Sequence, residues 1–253
     1  GAMMGVAIGA ALERMKPIVM FPRMDFMMYA MDQIVNHLIN WEFMHGLEDR
    51  INLTIWAIIN RRGEQAAQHS AALYNIFAQL PKIEVVCPSN PKDVKGMFSY
   101  AREKQGITMI VDNRELYTQE GEVPEENYSY KDKIELVREG SEATVICFSN
   151  TVNWAKKAIG TKDVEILALK NISTLAEREI QASAKKTGKI LVLDPSWGRG
   201  SVTSRISKIL IGKCDCEVYE LALPDTPAPA SQRREEKYYF SDMDLLKKLE
   251  EII

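Results

Sequence analysis

The chain has 253 residues, 46% of them hydrophobic, and its 32 basic and 35 acidic residues give a net charge of −3. This length and apolar content suffice to bury a substantial core, as one large α/β domain or two of ordinary size, and exclude disorder as the main state. The mixed charge leaves no broad positive field to attract phosphate backbones, which argues against nucleic acid as a principal ligand. The longest apolar runs are strand-sized, far below the roughly 20 residues that span a bilayer, so we expect no membrane partner.

The four cysteines predict a reducing compartment. Three of them lie in or beside apolar strand-like runs, where a reduced thiol behaves as a small hydrophobe. Cys214 and Cys216 form a C-x-C pair without a second cluster of cysteine or histidine, which favours packing at a strand edge over a metal site. We therefore predict a cytoplasmic protein. Residues 1–3 look like the remainder of a tag, and we expect the natural sequence to begin at Met3 or Met4.

Strand-like runs rich in β-branched residues alternate with helix-period segments, the pattern of βαβ units around a mainly parallel sheet. In the first half, the predicted strands are 18–21, 53–59, 85–86 and 107–111. The strongest predicted helix spans 25–44, where apolar residues recur every three or four positions. Further helices are predicted at 71–80 and 91–103, the latter with Asn90 as its N-cap and Pro91 at its first position.

The segment 117–133 is polar, contains Gly121 and Pro124 and lacks periodicity, which predicts a domain boundary. We place a first domain at 4–120, a linker at 121–133 and a second domain at 134–253. Beyond the linker, apolar periodicity predicts strands at 143–148, 164–169, 189–194 and 217–221, and helices at 151–159, 175–186, 201–211 and 242–253. The predicted fold class is therefore α/β, with two domains that are each a mainly parallel sheet flanked by helices.

Two places at predicted strand ends carry residues suited to chemistry. Gln68, His69 and Ser70 follow the strand at 53–59, and loops at the carboxyl ends of parallel strands form ligand crevices. Phe26 lies at the turn after the first strand, where an aromatic ring can stack on a flat heterocycle for about 1 kcal/mol beyond its burial. Each has a plainer alternative, because a histidine near a helix start is often structural and a lone phenylalanine often packs in the core.

The sequence lacks the motifs of several other functional classes. The turn 194–200 contains glycines but has neither the G-x-G-x-x-G spacing nor the P-loop lysine, which argues against nucleotide binding there. The chain has only three histidines and no Ser-His-Asp order, H-E-x-x-H motif or EF-hand loop, so hydrolase and metalloenzyme functions have little support.

A series of motifs in fixed order makes the pattern specific. In chain order they are GVAIGAAL at 5–12, KPI at 16–18, DFM at 25–27, AMDQIVN at 30–36, AQHS at 67–70, VVCPSN at 85–90, DVKG at 93–96, GEVP at 121–124, VREGS at 137–141 and KKTG at 185–188. Together they resemble the beta subunit of the thiamine diphosphate-dependent 2-oxoacid dehydrogenases of the pyruvate and branched-chain type, over nearly the whole chain.

The resemblance implies a transketolase-like pyrimidine-binding domain followed by a transketolase C-terminal domain, in an α2β2 assembly that decarboxylates a 2-oxoacid oxidatively and transfers the acyl group to lipoamide. In that family an alpha-type chain holds magnesium and the diphosphate through a Gly-Asp-Gly motif, which this sequence lacks. A diphosphate needs a bound cation and converging donors. We therefore expect shared thiamine diphosphate, no metal ligand in this chain, an alpha-type partner, beta–beta self-association and contact with an acyltransferase core.

The resemblance also assigns residues. Phe26 would stack on the aminopyrimidine, Tyr29 and Gln68 would contact the cofactor, and His69 would sit near the thiazolium as the catalytic residue. Tyr29 stands where the family usually has glutamine. The position of the family's activating glutamate falls just before Gly1, the loop 60–67 is shorter than the family's glycine-rich version, and residues 102–106 differ from the usual cation-binding turn.

Two alternatives stay open, and the first follows from the absent glutamate. The chain could be a catalytically incompetent beta-like subunit that serves assembly. It could also be the carboxyl-terminal half of a split transketolase or deoxyxylulose phosphate synthase, because these enzymes share the same domain pair.

Overall fold

The computed structural model describes residues 1–48, 51–63, 65–126 and 128–253. Within these ranges the strands are β1 (Ile18–Phe21), β2 (Asn52–Ile59), β3 (Ile83–Val86), β4 (Gly106–Asn113), β5 (Ile134–Arg138), β6 (Ala143–Cys147), β7 (Val164–Leu169), β8 (Lys189–Trp197) and β9 (Glu217–Leu223). The α-helices are α1 (Ala2–Leu12), α2 (Trp41–Met44), α3 (Tyr74–Ala78), α4 (Pro91–Glu103), α5 (Thr151–Ile159), α6 (Glu177–Thr187), α7 (Val202–Leu210), α8 (Gln232–Tyr238) and α9 (Asp242–Ile252). No helix among these described residues is long and apolar enough to cross a membrane.

The first sheet has the strand order β1-β2-β4-β3, and all its pairings are parallel. Its central strand β2 is apolar along most of its length, with Leu53, Ile55 and Ala57 fully buried. Both faces of a parallel sheet are covered by the connecting helices, which explains why such strands read as continuous apolar runs. The four carboxyl ends therefore meet at one edge, where the connecting loops collect.

The second sheet has the order β5-β7-β6-β8-β9, parallel except for β5, which runs antiparallel to β7. Neighbouring residues of β6 belong to different core clusters: Val145 is in the cluster that contains Leu245 of α9, and Ile146 is in the cluster that contains Ile180 of α6. Successive side chains of a strand point to opposite faces, so helices cover both faces of this sheet too. The predicted fold class, two α/β domains with mainly parallel sheets, is confirmed.

Backbone hydrogen bonds join the two sheets directly. Cys87 N–H donates to Lys170 O at 2.9 Å, and Ile172 N–H donates to Val85 O at 3.0 Å. Beside them the buried Lys170 ammonium lies 2.9 Å from the Asp93 carboxylate and 2.7 Å from the Glu135 carboxylate. The residues that follow β7 thus continue the edge of the first sheet beyond β3, which fixes one domain against the other.

The predicted helix at 25–44 is wrong as a single α-helix. The chain instead forms a 3₁₀-helix at Met24–Ala30, a π-helix at Gln33–Leu38 and then α2. Met24, Met27 and Ala30 are buried at intervals of three residues, the period of a 3₁₀-helix. Tertiary packing of these three side chains explains why the local geometry departs from the α-helix that the sequence predicts.

Other boundaries differ less. The helix predicted at 71–80 is shorter, at Tyr74–Ala78, and the sequence prediction omitted α1, β5 and α8. The helix at Pro91–Glu103 is confirmed, with the Asn90 side chain accepting a hydrogen bond from Asp93 N–H. All four cysteines are free, and the cytoplasmic location stays a prediction. The predicted linker 121–133 and loop 60–67 contain residues 127 and 64, which lie outside the described residues.

Candidate functional site

Two exposed aromatic side chains, Phe26 and Tyr29, follow the end of β1. Arg23 is extended, with φ −143°, and the 3₁₀-helix begins at the next residue. Side chains three residues apart eclipse one another in a 3₁₀-helix. Phe26 and Tyr29 therefore share one face of the helix, separate from the face of the buried Met24 and Met27, and are 41% and 84% exposed.

His69 lies in the loop after β2 and is half-buried. Its Nδ1 is 3.0 Å from the Gln65 carbonyl oxygen. Because a carbonyl oxygen can only accept, Nδ1 carries the proton in this contact, and Nε2 of the neutral ring keeps its lone pair. The peptide hydrogen bond from His69 N–H to Ala66 O, at 3.3 Å, holds the same turn.

The structure brings Phe26 and His69 together. Their ring centroids are 5.6 Å apart at an interplanar angle of 79°, an edge-to-face contact. This arrangement is one of the favoured geometries for aromatic rings. Two residues that are 43 positions apart in sequence thus form one surface at the carboxyl ends of neighbouring strands.

Two hydrogen bonds outside the predicted site residues fix this contact. The Asp25 carboxylate accepts from Ala71 N–H at 3.1 Å, and Arg23 Nη2 donates to Gln65 Oε1 at 3.0 Å. We call these two bonds the clamp. They tie the residues beside Phe26 to the residues on either side of His69. Burial raises the pKa of the Asp25 carboxyl above its ordinary value, although the hydrogen bond from Ala71 N–H and the nearby charge of Arg23 act in the opposite direction.

Sequence reasoning missed the clamp. Asp25 belongs to the DFM motif at 25–27, which was the only signal for it, and the Arg23 to Gln65 pair joins residues far apart in the chain. Gln68 is exposed at the turn beside His69, and its role as a cofactor contact stays a prediction, as does that of Tyr29. Within the part of the chain that the structure describes, no group of three or more histidine, cysteine, aspartate or glutamate side chains is placed to hold a metal ion.

The fold and this site define a class. Two tandem α/β domains, with an exposed aromatic ring against a histidine at the strand ends of the first, are the architecture of a transketolase-like subunit. Residues 1–120 match the family described as transketolase, pyrimidine binding domain, and residues 132–244 match transketolase, C-terminal domain. A solved structure described as "Split gene transketolase, inactive beta4 tetramer" has the same fold, with a TM-score of 0.82 at 17% identity over 99% of this chain and 80% of that one.

Curated proteins similar to this chain indicate which family within this class it belongs to. The beta subunit of acetoin:2,6-dichlorophenolindophenol oxidoreductase from Cupriavidus necator is 31% identical over 94% of this chain and 73% of its own length. Its Bacillus subtilis counterpart is 29% identical over 93% and 72%, and the 2-oxoisovalerate dehydrogenase subunit beta of Bacillus subtilis is 29% identical over 96% and 78%. The pyruvate dehydrogenase E1 component subunit beta of Cyanidium caldarium is 30% identical over 89% of this chain and 72% of its own length. The chain belongs to the family of beta subunits of the thiamine diphosphate-dependent 2-oxoacid dehydrogenases, and the resemblance seen in the sequence is confirmed.

Proposed function

We propose that this chain is the beta subunit of a 2-oxoacid dehydrogenase first component. It binds the ring half of thiamine diphosphate against Phe26 and His69, at its interface with an alpha-type chain. We call this interface the seam. The observation that carries the proposal is the edge-to-face pair itself. A ring that is 41% exposed, at the carboxyl edge of a parallel sheet and braced by a histidine, offers a free face to a flat ligand.

The residues present fit the heterocyclic part of the cofactor. Bound thiamine diphosphate supplies the carbon nucleophile and electron sink that 2-oxoacid decarboxylation requires. Phe26 contributes an apolar surface for stacking, and Tyr29 extends that surface on the same helical face. His69 offers the lone pair of Nε2 as a proton acceptor, because the Gln65 carbonyl occupies Nδ1. Once Nε2 has taken a proton, it can donate to the carboxylate or acyl oxygen of the substrate. Gln68 contributes an amide at the rim.

We propose that an alpha-type partner holds the diphosphate half of the cofactor, as the family resemblance implies. The sequence contains no Gly-Asp-Gly, and the described residues offer no group of metal ligands. We assign magnesium to that partner. This division leaves the chain with a half-site that another polypeptide completes.

The surface around the pair supports the position of the seam. On α1, Val6 is 73% exposed, and a Cβ added at Gly5 or Gly9 would meet nothing within 4 Å. A Cβ at Gly1 would lie 3.6 Å from the Tyr29 carbonyl oxygen, so the start of α1 lies beside the backbone that carries Tyr29. Exposed apolar side chains next to open glycines allow close approach of a partner element.

Reconstitution tests the proposal. The chain is co-expressed with an alpha-type chain carrying Gly-Asp-Gly, and thiamine diphosphate affinity is measured by calorimetry in the presence of magnesium. We expect saturable binding by the pair, and about tenfold weaker binding when Phe26→Ala removes the stacking face. The matched control is Phe43→Ala, which removes a phenylalanine that is 83% exposed on α2 and should leave the affinity unchanged.

Substrate choice is the second readout. With a beta chain that carries the family's activating glutamate, the pair should turn over a 2-oxoacid and leave phosphosugars untouched. Failure of the reconstituted pair to bind thiamine diphosphate, or equal loss of affinity in both phenylalanine variants, would contradict the proposed site. Binding without turnover would instead favour an assembly subunit.

A further inference from the structure

A cleft of about 430 Å³ opens between the two domains, and we call it the interdomain cleft. It lies where β2 and β4 of the first sheet and β6 and β9 of the second reach their carboxyl ends. The lining residues that matter are Arg61, Arg62, Glu115, Asn150, Trp154 and Tyr239. Its volume is within the range of about 300 to 1,000 Å³ typical of small-molecule sites. Neither Phe26 nor His69 lines it, so the inference goes beyond the proposed function.

Arg61 is the unusual residue of this cleft. It is only 8% exposed, yet its Nε and Nη2 are buried and have no hydrogen-bond partner among the residues the structure describes. These two N–H groups lie on the same edge of the guanidinium, the edge that binds a carboxylate or phosphate through two parallel hydrogen bonds. The guanidinium carbon lies 5.4 Å from the centroid of the Tyr239 ring. A buried cation without an anionic partner is costly, so this edge needs an explanation.

The other charges of the lining are already matched. Arg62 Nε is 2.9 Å from Glu115 Oε1, and Asn150 Nδ2 donates to Glu115 Oε2 at 2.6 Å. Both carboxylate oxygens of Glu115 are thus used, one from each domain. Arg61 therefore contributes the uncompensated positive charge among the described lining residues.

The remaining walls are apolar and aromatic. Trp154 and Phe240 lie against each other with ring centroids 5.1 Å apart, and Leu116 and Leu223 also line the cleft. An aromatic wall beside one fixed positive charge suits an anion with a flat or apolar body better than a bare inorganic ion.

We propose that the interdomain cleft binds a small organic monocarboxylate, whose carboxylate is taken by the Nε and Nη2 edge of Arg61 and whose apolar body lies against Trp154 and Tyr239. The edge is closed to water in this structure, so binding includes a rotation of the Arg61 side chain toward the cleft. The rotation exchanges an unpartnered buried edge for two charge-assisted hydrogen bonds.

The test uses the full chain and two probes of equal shape, benzoate and its neutral analogue benzamide, with inorganic phosphate as a third. Binding is measured by calorimetry without thiamine diphosphate, so its failure is independent of the cofactor site. We expect benzoate to bind at least about tenfold more tightly than benzamide. Arg61→Leu should abolish that preference, and Arg61→Lys should weaken it because the fork is lost while the charge stays. Arg102→Leu removes an exposed arginine outside the cleft and should change nothing.

Thermal unfolding separates a binding role from a structural one. If Arg61 serves binding, Arg61→Leu should leave the melting temperature unchanged or raise it, because an unpaired buried cation is removed. Equal affinity for benzoate and benzamide, benzoate binding that survives Arg61→Leu, or benzoate binding no tighter than phosphate would each overturn the proposal. The Arg61→Lys variant keeps the test decisive if the leucine variant does not fold.

Discussion

The carboxyl edges of the two sheets differ in the exposure of their side chains. In the first domain, Phe26 and Tyr29 are 41% and 84% exposed beside the half-buried His69. In the second, Asp194 near the end of β8 is fully buried. Its carboxylate accepts hydrogen bonds from Tyr74 OH at 2.5 Å and from Val202 N–H at 2.7 Å.

The contrast separates a surface available to ligands from a structural joint. Tyr74 belongs to the first domain, so the Asp194 network joins the two domains, and Ser196 also donates to the same carboxylate at 2.7 Å. Burial raises the pKa of Asp194, and its donors act against that shift. A strand end that is saturated with internal donors has nothing left for a ligand, whereas the Phe26 and His69 edge does.

Replacing Asp194 should have the largest effect on the fold. Asp194→Ala leaves several buried donors without an acceptor, and we expect a loss of about 3 kcal/mol or more in the free energy of unfolding. Chemical denaturation measures it. Tyr74→Phe removes one donor only and should cost about half as much. A loss below about 1 kcal/mol in Asp194→Ala would show that this edge is not the joint inferred above.

Replacing His69 should act on chemistry instead of stability. We expect His69→Ala to lower the turnover number of the reconstituted pair about 10²-fold, or about 2.7 kcal/mol in activation free energy, as is usual for loss of a proton-transfer group. Cofactor affinity and melting temperature should stay close to wild type. His37→Ala is the matched control, because His37 pairs at the surface with Asp32. Equal turnover in the two variants would remove His69 from the site.

The contrast between the edges also explains what the sequence could predict. Continuous apolar runs identified β2, β6 and β7 because burial on both faces leaves a strong pattern. α1 was missed because its residues are apolar or glycine on every side, so no amphipathic period marks it. α8 was missed for the reverse reason, because six of its seven residues are polar or charged in a run that shows no apolar period.

The candidate site could likewise be predicted only where a local sequence pattern marks its residues. Phe26 and His69 were predicted as site residues because each lies in a motif at a predicted strand end and the family resemblance linked them, and the structure shows that their rings are in contact. Arg61 and the clamp were not found, because a missing partner and a hydrogen bond across the fold depend on tertiary packing. No local sequence pattern indicates the unpartnered edge of Arg61 or the hydrogen bonds of the clamp.

Breaking the clamp should loosen the contact between Phe26 and His69 without affecting the hydrogen bonds of the buried Asp194. Asp25→Ala removes the acceptor of Ala71 N–H, and we expect turnover of the reconstituted pair to fall about tenfold because Phe26 and His69 lose their fixed approach. Asp32→Ala removes an exposed carboxylate from the same helical segment and is the control. Turnover that does not distinguish the two variants would contradict a positioning role for Asp25.

The smallest expected effect concerns pH. Burial raises the pKa of Asp25 above its ordinary value of 3.8, so folding favours its protonated form. Its contribution to stability is then fully present below pH 3.8 and is lost as the pH rises through the folded pKa. Asp25→Asn keeps an oxygen acceptor for Ala71 N–H and cannot ionise, so the variant should gain on the wild type as the pH rises over that range and then keep a constant difference. Denaturation series at pH 4 and pH 7 measure the difference. A wild type that gains on Asp25→Asn with rising pH would mean that the hydrogen bond from Ala71 N–H and the nearby charge of Arg23 outweigh the burial of this carboxylate.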